Sequence, residues 1–331
     1  MSRIHEALRK AELERNGAAP VEMAPAPGSF QPHVSSATAP VETPAAAYRP
    51  FANIPDQNGK SAIAAGVLTE TKDMPPAQEE GILQLNEILE RCAHPNWHLD
   101  PETNVFLDPT VTVDGAEQFR TLRSRLYQIS KDQSLQTLLI TSALPGEGKT
   151  FVTSNLGQAI VRQHERRALI IDGDLRRSRL HLALQAPTSP GLSDYLRGDA
   201  DLLSVIQQGL GGNLCLIPGG SPVTNPSELL ANGRLKVLLE RVAGAFDWIL
   251  IDSPPCLPVA DANILADMCD GVLFVVRARS TPSSMAEKAG RALQGRNVVG
   301  VVMNAVEEHA HGYHSPYGMS YYDAAPEGAK E

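Results

Sequence analysis

Aromatic residues, cysteine and positive charge are all scarce in this chain, and each shortage narrows what it can be. Phe, Trp and Tyr make up 5% of 331 residues. The four cysteines, Cys92, Cys215, Cys256 and Cys269, contain no C-x-x-C pair, which argues against a cysteine metal site. Their scattered, mostly apolar settings suit a reducing cytosol. With 29 basic against 38 acidic residues the formal charge is −9, the wrong sign for a nucleic-acid-binding surface. No apolar run reaches the roughly 18 residues that a transmembrane helix needs. Charge begins at Arg3 and no long apolar core follows, so a secretory signal is not expected. Any membrane role would have to come through a partner.

What is present is organised around Leu138–Thr150, LLITSALPGEGKT. A short apolar run ends in a glycine-rich loop with Walker A spacing, in which Ala143 stands where the usual pattern has its first Gly. Gly146 and Gly148 let backbone N–H groups approach phosphate oxygens with no Cβ in the way. Lys149 supplies a point charge for the β- and γ-phosphates and Thr150 a hydroxyl for Mg²⁺. The helix starting near Gly148 adds the positive end of its dipole.

From residue 137 onward strand and helix signals alternate. Strands are expected at 137–142, 168–171, 214–217, 248–251, 272–276 and 298–303, and helices at 149–164, 227–243, 261–267 and 282–294. This pattern predicts an α/β fold of the P-loop NTPase kind, a mostly parallel sheet with helices on both faces. Ligands of such sheets sit at the C-terminal strand ends. Acids stand there: Asp172 and Asp174 after Leu169–Ile171, and Asp252 after Ile249–Ile251. A carboxylate beside a P-loop can hold Mg²⁺ or its water shell, and a second can accept a proton from an attacking hydroxyl. Each of these acids could instead be a helix cap. Asn304, at the end of the last strand, could read the base edge or simply make a turn.

The flanks differ from this core. Residues 1–16 show the spacing of a short amphipathic helix, with Ile4, Ala7, Leu8 and Ala11 on one face. Residues 17–78, rich in Pro and Ala, are expected to be a disordered linker before a helical connector over 79–110. The core domain spans 111–306. Its first helix is expected to begin at Asp114, a D-x-x-E capping box, and to carry Glu117, Arg120 and Arg123 opposite its apolar face. Residues 307–331 form a polar tail holding four of the seven tyrosines: Tyr313, Tyr317, Tyr321 and Tyr322. Packing into a core does not explain tyrosines there, and the functional reading is a set of phosphoacceptors. His309, His311 and His314 nearby are poor metal candidates because mobile histidines rarely hold one.

In combination the segments ALPGEGKT, LIIDGDLRR, ILIDSPP, GLSDYLRG, NPSELL and VLFVVRARST resemble the bacterial tyrosine kinases, P-loop autokinases that control capsule and exopolysaccharide assembly. EQFRTLR is similar to that family's E-x-x-R-x-x-R oligomerisation motif, at Glu117, Arg120 and Arg123. The opening MSRIHEALRKAE resembles the exosortase-linked subgroup. The resemblance implies ATP and Mg²⁺ as cofactors, held by Gly146, Glu147, Gly148, Lys149, Thr150 and Phe151 with Asn304, the metal falling to Thr150 and Asp252. It implies catalysis by Lys149, Asp172 and Asp174, with Asp172 the base. It further implies a ring-shaped homo-oligomer in which one subunit's tail enters a neighbour's site, and Arg176, Arg177 and Arg179 join the subunit contact. A membrane polysaccharide co-polymerase, here a separate chain, would be the activator. The protein would then be cytoplasmic and recruited to the inner face of the membrane. The tyrosine cluster is sparser than the family's, with only Tyr321 and Tyr322 adjacent. A ParA/MinD-like positioning ATPase shares the fold, but such proteins carry an extra Lys early in the loop, where this chain has Leu144. A nucleotide-binding regulatory subunit without phosphotransfer would not need Lys149, Thr150, Asp172 and Asp252 all intact.

Overall fold

The computed structural model describes residues 81–107, 113–209 and 211–306. The expected N-terminal helix, linker and tyrosine tail lie outside these residues.

Seven strands form one sheet: β1 (Thr137–Ser142), β2 (Ala168–Asp172), β3 (Gln207–Gln208), β4 (Leu214–Ile217), β5 (Trp248–Asp252), β6 (Gly271–Arg277) and β7 (Val298–Asn304). Their order is β3-β4-β2-β5-β1-β6-β7, and every pairing is parallel except β3 with β4. Alternation along the strands explains the layers. Leu138 and Ile140 of β1 face one apolar cluster and Leu139 the other; Ile170 and Leu250 share the first face, Ile171 and Ile251 the second. Strands that are apolar on both sides must be covered on both sides.

One face is covered by α2 (Val113–Asp132), α3 (Lys149–Val161) and α4 (Leu180–Leu184), through Phe119, Leu126, Leu156 and Leu180. The other is covered by α1 (Leu85–Arg91), α5 (Leu192–Arg197), α6 (Pro226–Leu230), α7 (Arg234–Val242), α8 (Asp261–Ala266) and α9 (Ser283–Ala292). The helix expected over 227–243 is thus two, interrupted before Arg234 by Gly233 at φ 84°. The connector packs on the core: Leu83 N–H donates to Arg241 O at 2.9 Å, Ala93 N–H to Ile206 O at 3.0 Å, and Ile88 is fully buried. Among the described residues no helix is long and apolar enough to cross a membrane.

Candidate functional site

The sheet order places β1 between β5 and β6 and β2 next to β5, so three chemically loaded strand ends lie side by side. The loop after β1 turns with Gly146 at φ 80° and Gly148 at φ 94°, backbone that glycine adopts without strain. Gly148 caps α3 and has a second constraint: a Cβ there would lie 1.9 Å from Asn304 Nδ2. Asn304 Nδ2 donates to Glu147 O at 2.9 Å, so this amide supports the loop from below. This contact stands beside the two expected readings of Asn304, a base-edge reader or a turn residue.

Glu147 is also turned inward. Its side chain is 3% exposed; Oε2 accepts from Leu144 N–H at 2.7 Å and Oε1 from the Thr281 hydroxyl. Arg277 donates to Gly146 O at 3.0 Å. Glu147 therefore holds the loop's shape, and only its backbone is available to a phosphate. Phe151 likewise points away from the pocket: its ring meets Phe119 edge-on with centroids 5.8 Å apart. The Glu147–Thr281–Arg277 brace was invisible in the sequence because Thr281 and Arg277 lie more than 130 positions away.

Lys149 and Thr150 open the helix and line a pocket of about 680 Å³ together with Pro145, Asp174, Arg177 and Arg179. Thr150 Oγ1 donates to Asp252 Oδ2 at 2.6 Å, and the Thr153 hydroxyl lies 3.4 Å from Oδ1. Asp252 and Asp172 are register partners on β5 and β2, and both are buried. Burial pushes the Asp252 carboxyl above the usual carboxylate range; the neighbouring Asp172 charge adds to this, while the Thr150 bond and Lys149 oppose it. Burial also raises Asp172, against the Ser178 and Leu180 donors.

The surroundings of Asp172 are asymmetric. Oδ2 accepts from the Ser178 hydroxyl at 2.7 Å, Arg179 N–H at 3.1 Å and Leu180 N–H at 3.0 Å, whereas Oδ1 takes only Asp174 N–H at 3.2 Å. Asp174 is half-buried on the pocket wall, and its carboxylate accepts from Arg177 N–H at 3.0 Å. Arg176 is bound within the chain, Nε to Asp261 Oδ2 at 2.7 Å and Nη2 to Oδ1 at 3.1 Å, with Ser227 closing the group. It remains exposed beside this internal ion pair. The half-buried Arg123 donates from its guanidinium to Ala159 O at 2.6 Å, while Glu117 and Arg120 form an exposed 2.9 Å pair.

A family model described as cellulose biosynthesis protein BcsQ matches residues 135–298. The tyrosine-protein kinase YwqD of Bacillus subtilis is 33% identical over 206 residues, 62% of this chain and 86% of that one. The chain belongs to the bacterial tyrosine-protein kinases. Tyrosine-protein kinase Etk of Escherichia coli is 36% identical over 209 residues, 61% of this chain but 29% of the longer protein. The solved kinase domain of Escherichia coli ETK superimposes with TM-score 0.54 at 34% identity, covering 60% of this chain and 80% of that domain. The VpsO kinase domain does so at 0.52 and 28% identity, covering 59% and 99%. The shared part is thus the kinase domain. Much of the Etk chain has no counterpart here.

The pocket suits a Mg²⁺-bound nucleoside triphosphate. Nothing would crowd a Cβ at Gly146, so the loop's backbone is open to a phosphate. Among the described residues no three His, Cys, Asp or Glu side chains could hold a metal by themselves. Thr150 and Asp252 offer one hydroxyl and one carboxylate side by side, to which phosphate oxygens would add, the manner in which proteins bind Mg²⁺.

Proposed function

We propose that this chain is an ATP-dependent protein-tyrosine autokinase that phosphorylates Tyr313, Tyr317, Tyr321 or Tyr322 of a neighbouring copy, in the service of exopolysaccharide or capsule assembly. The observation that carries the reading is the placement of Lys149, Thr150 and Asp174 on one pocket, with Asp252 bonded to Thr150 and Asp172 beside Asp252 buried on the strand ends behind it. The loop amides and Lys149 would hold the phosphates, and Thr150 with Asp252 the Mg²⁺. MgATP, as substrate, supplies the γ-phosphoryl group: the tyrosine oxygen bonds to phosphorus, the bond to the ADP oxygen breaks, and the phenolic proton leaves. Asp172 takes that proton. Its Oδ2 is fixed by three donors, its Oδ1 is nearly free, and its raised affinity for protons brings it closer to the working pH of a general base. A second assignment, with Asp174 as base, is favoured by that carboxylate's place on the pocket wall. Most of the rate would come from positioning and charge stabilisation.

The homo-oligomeric ring, its contact at Glu117, Arg120 and Arg123, the exosortase-linked subgroup suggested by MSRIHEALRKAE, and activation by a membrane co-polymerase on the cytoplasmic face belong to the same proposal. The test is intact-mass and phosphopeptide analysis of the full chain from its own host beside Lys149→Met. Phosphate on the tail tyrosines of the parent alone is expected. Equal phosphate on both would mean that another kinase acts on the tail, and the reading would fall.

A further inference from the structure

The pocket wall carries more positive charge than a nucleotide site needs. Lys149, Arg176, Arg177 and Arg179 line it against the single carboxylate of Asp174. Asp261 neutralises Arg176, and Lys149 is committed to phosphates. That leaves Arg177 and Arg179. Both are exposed, and among the described residues neither guanidinium has a hydrogen-bond or ion-pair partner. Their backbones are fixed nonetheless: Arg177 N–H is held by the Asp174 carbonyl and carboxylate, and Arg179 N–H by Asp172. Two unpaired cations on an anchored loop, beside the carboxylates that serve the acceptor, are placed to bind an anion on the acceptor's own chain.

The tail sequence offers one such anion beside a tyrosine. Tyr313 lies between Gly312 and His314, Tyr317 between Pro316 and Gly318, and Tyr321 between Ser320 and Tyr322. Only Tyr322 has an acidic neighbour, Asp323. We propose that Arg177 and Arg179 determine acceptor choice by binding the acidic residue that follows the tyrosine, so that Tyr322 is the first tail tyrosine phosphorylated. This rests on the autokinase reading. An order follows: phosphate on Tyr322, at about −1.5 to −2 charges, gives Tyr321 an anionic neighbour on the same side and makes it the second site.

The test is site-resolved phosphopeptide quantification on the full chain, dephosphorylated and then given MgATP for short times. The variants are Asp323→Asn, Tyr322→Phe, the pair Arg177→Glu with Arg179→Glu, and that pair combined with Asp323→Lys. Asp323→Asn is expected to lower the early Tyr322 signal about 1.5- to fivefold, the range of a partly exposed ion pair, with Tyr313 and Tyr317 unchanged. Tyr322→Phe should delay Tyr321. The charge-swapped combination should recover Tyr322 over the arginine pair alone. An unchanged share at Tyr322 in Asp323→Asn would overturn the inference and leave the kinase reading standing. So would an equal loss at all four tyrosines with a raised KM for ATP in the arginine variants, since the arginines would then serve the nucleotide. No phosphate on any tyrosine of the parent would overturn both.

Discussion

Removing the Glu147 carboxylate tests whether the phosphate loop is held in shape from outside the motif. Glu147→Ala deletes the acceptor of Leu144 N–H and of the Thr281 hydroxyl, at a side chain 3% exposed. Two hydrogen bonds to a charged group contribute about 1.5–3 kcal/mol each. Relief of the desolvated carboxylate returns several kcal/mol, so the net loss should be about 2 kcal/mol. For a structured region of this size that is a fall in Tm of about 4–8 °C. Thr281→Val removes one of the two bonds and should cost about 1 kcal/mol. Because both variants break the same contact, the double variant should fall short of their sum by about 1 kcal/mol, well beyond the roughly 0.3–0.5 kcal/mol scatter of independent sites. The nucleotide supplies the second readout. A ligand at a hundred times its Kd stabilises by about 2.7 kcal/mol, and a tenfold weaker site by about 1.4 kcal/mol. Thermal unfolding of the four proteins, with and without MgADP at one fixed concentration, measures all of these quantities. A Glu147→Ala protein within 1 °C of the parent, or strictly additive costs, would refute the brace.

Asp172→Asn should abolish tail phosphorylation and also lower Tm, since Oδ2 anchors three donors; if Asp174→Asn alone abolishes transfer, the base is Asp174. Thr150→Val should raise the Mg²⁺ concentration for half-maximal phosphorylation about ten- to a hundredfold, with Asp252 left without its 2.6 Å donor. Burial raises the carboxyls of Asp172 and Asp252 in the folded chain, so the nucleotide-free protein binds more protons folded than unfolded. Its stability should therefore fall as pH rises from the ordinary carboxylate range through their elevated folded values, and Asp252→Asn should flatten that slope in Tm measured against pH. Arg123→Ala should cost about 1–2 kcal/mol of stability by losing Ala159 O, whereas Glu117→Lys should disrupt assembly, measured by light scattering, with little change in Tm.

Six strands were legible within a residue because each is apolar on both faces. β3 was not: two glutamines hold an antiparallel edge place only through pairing with Leu216 and Cys215. α4 and α5, five and six residues long, are too short for hydrophobic periodicity to appear. α5 is begun by the Asp194 carboxylate accepting from Gly191 N–H at 2.8 Å, α4 by an acid eight residues upstream. Strand-end logic found Asp172, Asp174 and Asp252 because a parallel sheet delivers its C-terminal ends to one edge. It could not foresee that Asn304 supports the loop by donating to Glu147 O, 157 positions away. For the same reason it did not show that Arg123, in the stripe with Glu117 and Arg120, also ties α2 to α3 through Ala159 O.

Asp172 joins two readings that compete in the sequence. A strand-end aspartate is commonly a helix cap, and a strand-end aspartate beside a P-loop is commonly a chemical group. Here the capping role falls on one oxygen, and the proposed chemical role would fall on the other. Oδ2 takes the α4 donors, which fixes the loop carrying Asp174, Arg177 and Arg179; Oδ1 is left with one 3.2 Å bond, from Asp174 N–H. A carboxylate exposed to water would gain little from such anchoring, and a buried one with no donors would stay protonated. Burial with one oxygen fully satisfied holds the group in place while keeping its proton affinity high, a combination that a general base requires and that no one-dimensional motif can specify.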